Sequence, residues 1–231
     1  MSGFVPALLL SLAGGLTACG PPGDDVEASP SSSPANKGAG HCRELIGPDG
    51  ITWSEKAHGA AIAESARDVQ APGEAVDRFL GNARSWTSGT DDNYFLRPLP
   101  AVCRLVPEGV MSADGPVTVK LGPGTFPFEE LTAGDTEKGG RVRDVGSDVK
   151  LVAWAPGEDR GNRNSVYVKC RVEGALPGQE ERVALEVTMT DRLAAAGTAA
   201  RFDLLLDAAR VMVEKAGCLN GPELPERAPE G

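Results

Sequence analysis

Apolar and polar residues alternate strictly along two stretches in the C-terminal half of the chain. Over Asn164 to Val172, Val166, Val168, Cys170 and Val172 fall on one face, with Tyr167, Lys169 and Arg171 on the other. Over Arg182 to Thr190, Val183, Leu185, Val187 and Met189 oppose Ala184, Glu186, Thr188 and Thr190. Period-two alternation with one polar face predicts antiparallel strands, wet on one side and covered on the other. Pro177-Gly178 lies between the two stretches, which predicts a hairpin with a longish loop. Val117 to Leu121 alternates in the same way. Val149 to Ala155 makes a further strand, after a long polar stretch that contains glycine.

Elsewhere the spacing is helical. Phe202, Leu205, Leu206, Ala209, Val213 and Ala216 form an apolar stripe, and Asp203, Asp207, Arg210 and Glu214 line the opposite side. Thr198 is placed to cap this helix and Gly217 to end it. Its stripe is the cover for the sheet. Nearer the start, Ser54 predicts a helix running to about Val69. A second helix begins near Pro72, with Val76, Phe79, Leu80, Ala83 and Trp86 facing inward. Tyr94 to Val106 reads as extended and irregular. The expected fold is therefore α+β: an antiparallel sheet of about four strands, covered on one face by the C-terminal helix, with two helices near the start of the domain. The tail from Gly221, with three prolines and no apolar run, is expected to be loose.

The N-terminus supplies an address. Phe4 to Leu16 is apolar and too short to span a bilayer, which takes about 20 residues. It has the length of a signal-peptide core, although residues 1–18 hold no Lys or Arg. Leu16-Thr17-Ala18-Cys19 follows it, and then a tract of Gly, Pro, Ser, Ala and Asp to Gly40. This layout resembles the lipobox of bacterial lipoproteins. The resemblance implies cleavage before Cys19, a diacylglyceryl group on its thiol, and residence on the extracytoplasmic face of the cell membrane. Two acyl chains hold a protein stably where one does not. The organisation that follows is a signal peptide over 1–18, a disordered tether over 19–40, one domain over 41–220 and a disordered tail over 221–231. The whole layout resembles the small, uncharacterised lipoproteins of actinobacteria.

Charge and cysteine content narrow the partners. The net charge of −10 argues against nucleic acid and against anionic headgroups. Beyond Cys19 there are four cysteines, Cys42, Cys103, Cys170 and Cys218, an even number that reads as two disulfides in an oxidising compartment. Three pairings are possible. Cys170 lies on the covered face of a strand and Cys218 just past the covering helix, so those two are expected to pair, which leaves Cys42 with Cys103. No C-x-x-C occurs, and the spacings are too wide to suggest zinc.

Chemistry-bearing patterns are sparse. His41 beside Cys42 has the residue types of a nucleophile and its base, but neighbours in an extended chain point apart. Ser147-Asp148-Val149-Lys150 matches S-x-x-K, yet it runs into a strand and lacks the companion motifs. Asp91-Asp92-Asn93 has oxygen donors without the loop of a calcium site. Glu129-Glu130 is a pair of acids whose spacing in space decides its meaning. No catalytic residue, metal ligand or cofactor is assigned. The expected role is a binding or interaction module at the cell envelope, anchored by lipid on Cys19, whose partner is an envelope protein or small ligand. The open sheet face around Trp154, Tyr167, Arg171 and Glu186 is its expected surface. A cell-wall or envelope hydrolase is the alternative.

Overall fold

A strand that alternates must find partners, and here it finds more than the pattern announces. The computed structural model describes residues 40–89, 98–109, 115–136, 139–157, 161–193 and 196–229. Cys19, the signal and tether segments up to residue 39, and Asp91-Asp92-Asn93 lie outside the described residues. In chain order the elements are α1 (His41–His58), β1 (Ile62–Glu64), α2 (Pro72–Ser85), β2 (Ala101–Pro107), β3 (Val117–Pro123), β4 (Gly134–Asp135), β5 (Gly140–Asp144), β6 (Val149–Gly157), β7 (Gly161–Val168), α3 (Gln179–Arg182), β8 (Leu185–Asp191) and α4 (Thr198–Ala216). The strands form one antiparallel sheet in the order β1-β2-β3-β8-β7-β6-β5-β4. The last strand in sequence is thus central, between β3 and β7.

Among the described residues eight strands replace the expected four or so, and α1, α2 and α4 together replace the single covering helix. The reasons are local. The helix starts at His41 rather than at Ser54 and runs through a kink at Gly47, with φ 65° and ψ 176°, and Pro48. Ser54 is buried within it and its hydroxyl donates to the Gly50 carbonyl at 2.8 Å. Gly59 adopts the left-handed conformation that ends the helix, which leaves room for β1 before Val69. β5 carries one apolar side chain, Val142, among Gly140, Arg141, Arg143 and Asp144, so no alternation betrays it. The N-cap of α4 is Gly197, with Thr198 as its first residue.

The helices cover the face that carries Val117, Val119, Leu121, Val149, Leu151, Val166, Val168, Leu185, Val187 and Met189. Leu205, Leu206, Ala208, Ala209 and Met212 of α4 and Phe79 of α2 are buried against it. Removing such apolar area from water, at roughly 25 cal/mol per Å², is the main force holding this layer. Among the described residues one ionic contact is buried within it. Arg201 of α4 grips Asp191 at the end of β8 with two parallel bonds, Nε to Oδ2 at 2.7 Å and Nη2 to Oδ1 at 2.9 Å. The guanidinium's remaining donors reach the carbonyls of Leu193 and Ala196, which is the satisfaction a buried pair requires.

Two disulfides fasten helices to the sheet. Cys42 of α1 is bonded to Cys103 of β2, with Cα atoms 4.7 Å apart, and Cys170 after β7 to Cys218 after α4, at 4.9 Å. These are the pairs that strand-face and helix-end placement predicts. They are bonds of a protein that folds in an oxidising, extracytoplasmic compartment. Among the described residues no helix is long and apolar enough to cross a membrane. The start of α1 is also held from outside the helix: the Glu64 carboxylate of β1 accepts from the backbone N–H of Gly40, Cys42 and Arg43 at 2.7–3.2 Å.

The tail over 221–229 is docked instead of loose. Arg210 of α4 donates to the carbonyls of Pro225 and Glu226, and the Ala228 N–H donates to Asp203 at 2.7 Å. Leu224 and Ala228 pack on the core beneath. Polar groups of the helix's outer side satisfy a backbone that makes no secondary structure of its own.

Candidate functional site

Among the described residues the second face of the sheet carries none of the long helices α1, α2 and α4, only the single 3-10 turn Phe128–Glu130 over part of it, and its side chains fall into register-defined rows. One row runs Arg104 (β2), Thr118 (β3), Thr190 (β8), Arg163 (β7), Trp154 (β6) and Gly140 (β5). The next runs Lys120, Thr188, Ser165, Val152 and Val142. The third runs Gly122, Glu186, Tyr167, Lys150 and Asp144. Alternation predicts this face to be wet. Instead Ser165, Tyr167 and Glu186 are fully buried, and Thr118 and Thr188 nearly so.

The segment between β3 and β4 causes part of this burial. Phe128 and Leu131 join Val142, Val152, Tyr167 and Ala184 in a second small core, with Phe126 and Trp154 at its edge. Gly124 permits the approach, since a Cβ there would meet the Tyr167 ring at 3.0 Å and the Phe126 carbonyl at 2.9 Å. Lys150 fastens the segment from below. Its Nζ donates to the carbonyls of Phe128 and Leu131, and it lies 4.4 Å from the centre of the Phe128 ring. Lys169 approaches the same ring at 4.8 Å and pairs with Glu181 at 2.7 Å. It is therefore part of the segment's fastening, not a free residue of a wet face.

Glu186 organises the polar part. Its carboxylate accepts from the Thr125 N–H at 2.7 Å, the Thr125 hydroxyl at 2.5 Å, the Ser165 hydroxyl at 2.8 Å and Arg163 Nη2 at 3.2 Å. Trp154 Nε1 donates to Ser165 Oγ at 2.9 Å, and Ser165 and Thr188 share a bond of 2.9 Å. The Arg163 guanidinium lies 4.8 Å above the Trp154 ring, a cation–π contact that leaves its outer edge partly exposed. Tyr167 sits beside this carboxylate. Burial first, and then the Glu186 charge, push its phenol well above the ordinary range, so it stays protonated. Its hydroxyl meets no partner in hydrogen-bond geometry among the described residues.

Of the four residues expected at the binding surface, the structure brings three together and reverses the exposure of two. Trp154, Tyr167 and Glu186 share the helix-free face, but Tyr167 and Glu186 are buried and only Trp154 is half exposed. Arg171 is exposed and apart from them. β7 ends at Val168, and the Arg171 backbone pairs instead with Leu219 and Asn220 beyond α4. Arg163, Thr125, Ser165 and Thr188 take its place around Glu186. Sequence reasoning missed them because Arg163 precedes the alternating run and Thr125 is about sixty residues distant.

The remaining candidates are engaged elsewhere. The Cys42 thiol is consumed by its disulfide. Lys150 is bonded to two carbonyls, while Ser147 lies exposed in the turn before β6. Glu129 pairs with Arg182 at 2.7 Å. His58 is exposed at the end of α1. Comparison with protein-family models, with curated proteins and with solved structures finds no match for the chain.

Glu186→Ala removes the acceptor shared by Arg163, Ser165 and Thr125 and is expected to cost about 1–3 kcal/mol, the cost of leaving buried donors unsatisfied. Urea melts followed by circular dichroism measure it. A loss under about 1 kcal/mol would mean that the network does not hold the segment to the sheet.

Proposed function

We propose that the protein is a lipid-anchored binding module of the cell envelope, tethered through Cys19, that receives its ligand or partner on the helix-free face of the sheet. One observation carries this reading. On that face, a buried carboxylate, a half-exposed arginine, an indole and several hydroxyls converge and are locked in place by one another. Rigid, convergent polar groups beside an apolar patch are the ordinary makings of a recognition site. The engagement of Cys42 and Lys150 in structural bonds favours binding over hydrolysis, since those are groups a nucleophilic mechanism would draw on.

The lipid anchor rests on Leu16 to Cys19 and on the low-complexity tract that follows. Mass spectrometry of the membrane fraction should show a mature chain that starts at a diacylglyceryl-modified Cys19, and Cys19→Ala should move the protein out of that fraction. A chain cut elsewhere, with its distribution indifferent to Cys19→Ala, would refute the anchor.

Binding is tested by hydrogen-exchange footprinting with a panel of small neutral sugars, amino acids, oxyanions and polyamines. A solute that raises the melting temperature should protect the amides of 118–120, 163–165 and 186–190 and be recovered unchanged. Protection confined to α1, α2 and α4, a solute recovered cleaved, or a panel with no stabilising member would each count against the reading.

A further inference from the structure

The end of the chain is held in two unlike ways, and the change comes at Gly221. Up to Asn220 it is fixed to the sheet. Cys218 is bonded to Cys170, and the Leu219 N–H donates to the Arg171 carbonyl at 2.8 Å. The Asn220 side chain accepts from the Arg171 N–H at 2.9 Å and donates to the Lys169 carbonyl at 2.9 Å. Gly221 then turns with φ 55°, in the left-handed region. From Pro222 to Pro229 the chain makes no helix, strand or disulfide. It lies along α4 and β5, and side chains of those elements read its main chain. Arg210, itself bonded to Asp207, donates to the carbonyls of Pro225 and Glu226 at 2.6 and 2.9 Å. Arg143 donates to the Pro229 carbonyl at 2.8 Å, and Asp203 accepts from the Ala228 N–H at 2.7 Å and from Arg227 at 3.4 Å. Asp203 and Arg210 are seven apart, on one face of α4. Pro222 is buried, and Leu224 and Ala228 touch the core.

The tail is thus seated as a peptide ligand would be. Pro222, Pro225 and Pro229 arrive with φ preset and no N–H to satisfy, so an extended form loses little freedom on docking. Domains that bind proline-rich peptides exploit the same economy. The groups held are chiefly carbonyls and one N–H, which any extended segment of this spacing offers. We propose that Pro222 to Pro229 is a strap that swings open about Gly221, and that the surface it covers is a docking site for an extended, proline-containing segment of a partner protein. Arg143, Asp203 and Arg210 grip that segment's main chain, and the surface under Leu224 and Ala228 takes its apolar side chains. Val142 belongs to the second small core, so its neighbour Arg143 is on the helix side of the sheet. The site therefore lies away from the face proposed above for recognition and does not depend on that reading. Opening leaves α4 in place, because the disulfide and the Asn220 bonds hold the chain on the near side of the hinge. The strap is the partner's resident competitor: only the open state binds, and the apparent affinity falls with the fraction of chains that are closed.

Two measurements on the full chain test the strap and the site separately. In native-state hydrogen exchange the Ala228 amide should exchange about a hundredfold or more faster than the Leu205 and Leu206 amides of α4, through a local opening. Exchange of all three in step would mean that the tail is part of the cooperative fold and would overturn the proposal. For the site, Leu224→Asp with Ala228→Asp opens the strap and leaves Arg143, Asp203 and Arg210 untouched. The probe is a fluorescent synthetic peptide with the sequence of residues 221–229, followed by anisotropy. It should bind the opened chain saturably, about tenfold or more tighter than the unaltered chain. Adding Arg210→Met should abolish that binding. No binding to the opened chain, binding indifferent to Arg210→Met, or loss of α4 protection in the opened chain would each overturn the proposal. Dimers of the unaltered chain that the free peptide dissolves would give the site to a second copy's strap and overturn the partner assignment.

Discussion

A carboxylate at the centre of a sheet, shut away from water, has to be answered by donors, and the answer to Glu186 shapes one whole side of this protein. Burying an unpaired charge costs several kcal/mol or more. Thr125 is brought from the segment after β3, Ser165 and Arg163 from the neighbouring strand, and the segment then carries Phe126, Phe128 and Leu131 across the sheet. The same strand holds a second buried acid on its other face, Asp191, answered by Arg201 of α4. β8 therefore fixes both layers: one acid draws in the segment, the other draws in the helix. Because β8 is the last strand in sequence and the fourth in the sheet, neither layer is complete until it is inserted.

The disulfides add constraint where the sheet's central acids do not reach. They tie α1 to β2 and the end of α4 to the end of β7. In the chain-entropy model each contributes roughly 4 kcal/mol by restricting the unfolded chain, and often less in practice. Gln179 does comparable work without a covalent bond. It is fully buried and its amide stitches the Val172 N–H to the carbonyls of Cys170 and Val183, so the long β7–β8 connection is a fixed arch. The helix-free face is thus presented on a rigid scaffold.

The sequence discloses what depends on near neighbours. Val166, Val168, Leu185 and Val187 announce the central hairpin, the Phe202 to Ala216 stripe announces α4, and the cysteine placements announce both bonds. It conceals what depends on distant partners. β4 and β5 hide in a glycine-containing polar stretch because β5 has one apolar side chain, and β1 is three residues long. Glu186, Ser165 and Thr188 look like solvent-facing residues because a polar side chain advertises water. They are buried because they satisfy one another, and nothing near Glu186 in sequence signals Thr125. The same blindness put Arg171 at the site and omitted Arg163: Arg171 continues the alternation although the pairing ends at Val168, and Arg163 precedes the alternating run although it is paired.

The account stands on the segment after β3 being an integral layer of the sheet, held by Glu186. Native-state hydrogen exchange of the Thr125 amide measures that directly, since this N–H donates to Glu186 at 2.7 Å. The account predicts that it exchanges only with the free energy of global unfolding, in step with the central amides of β7 and β8. Exchange at the rate of an open surface loop, while those strands stay protected, would contradict it.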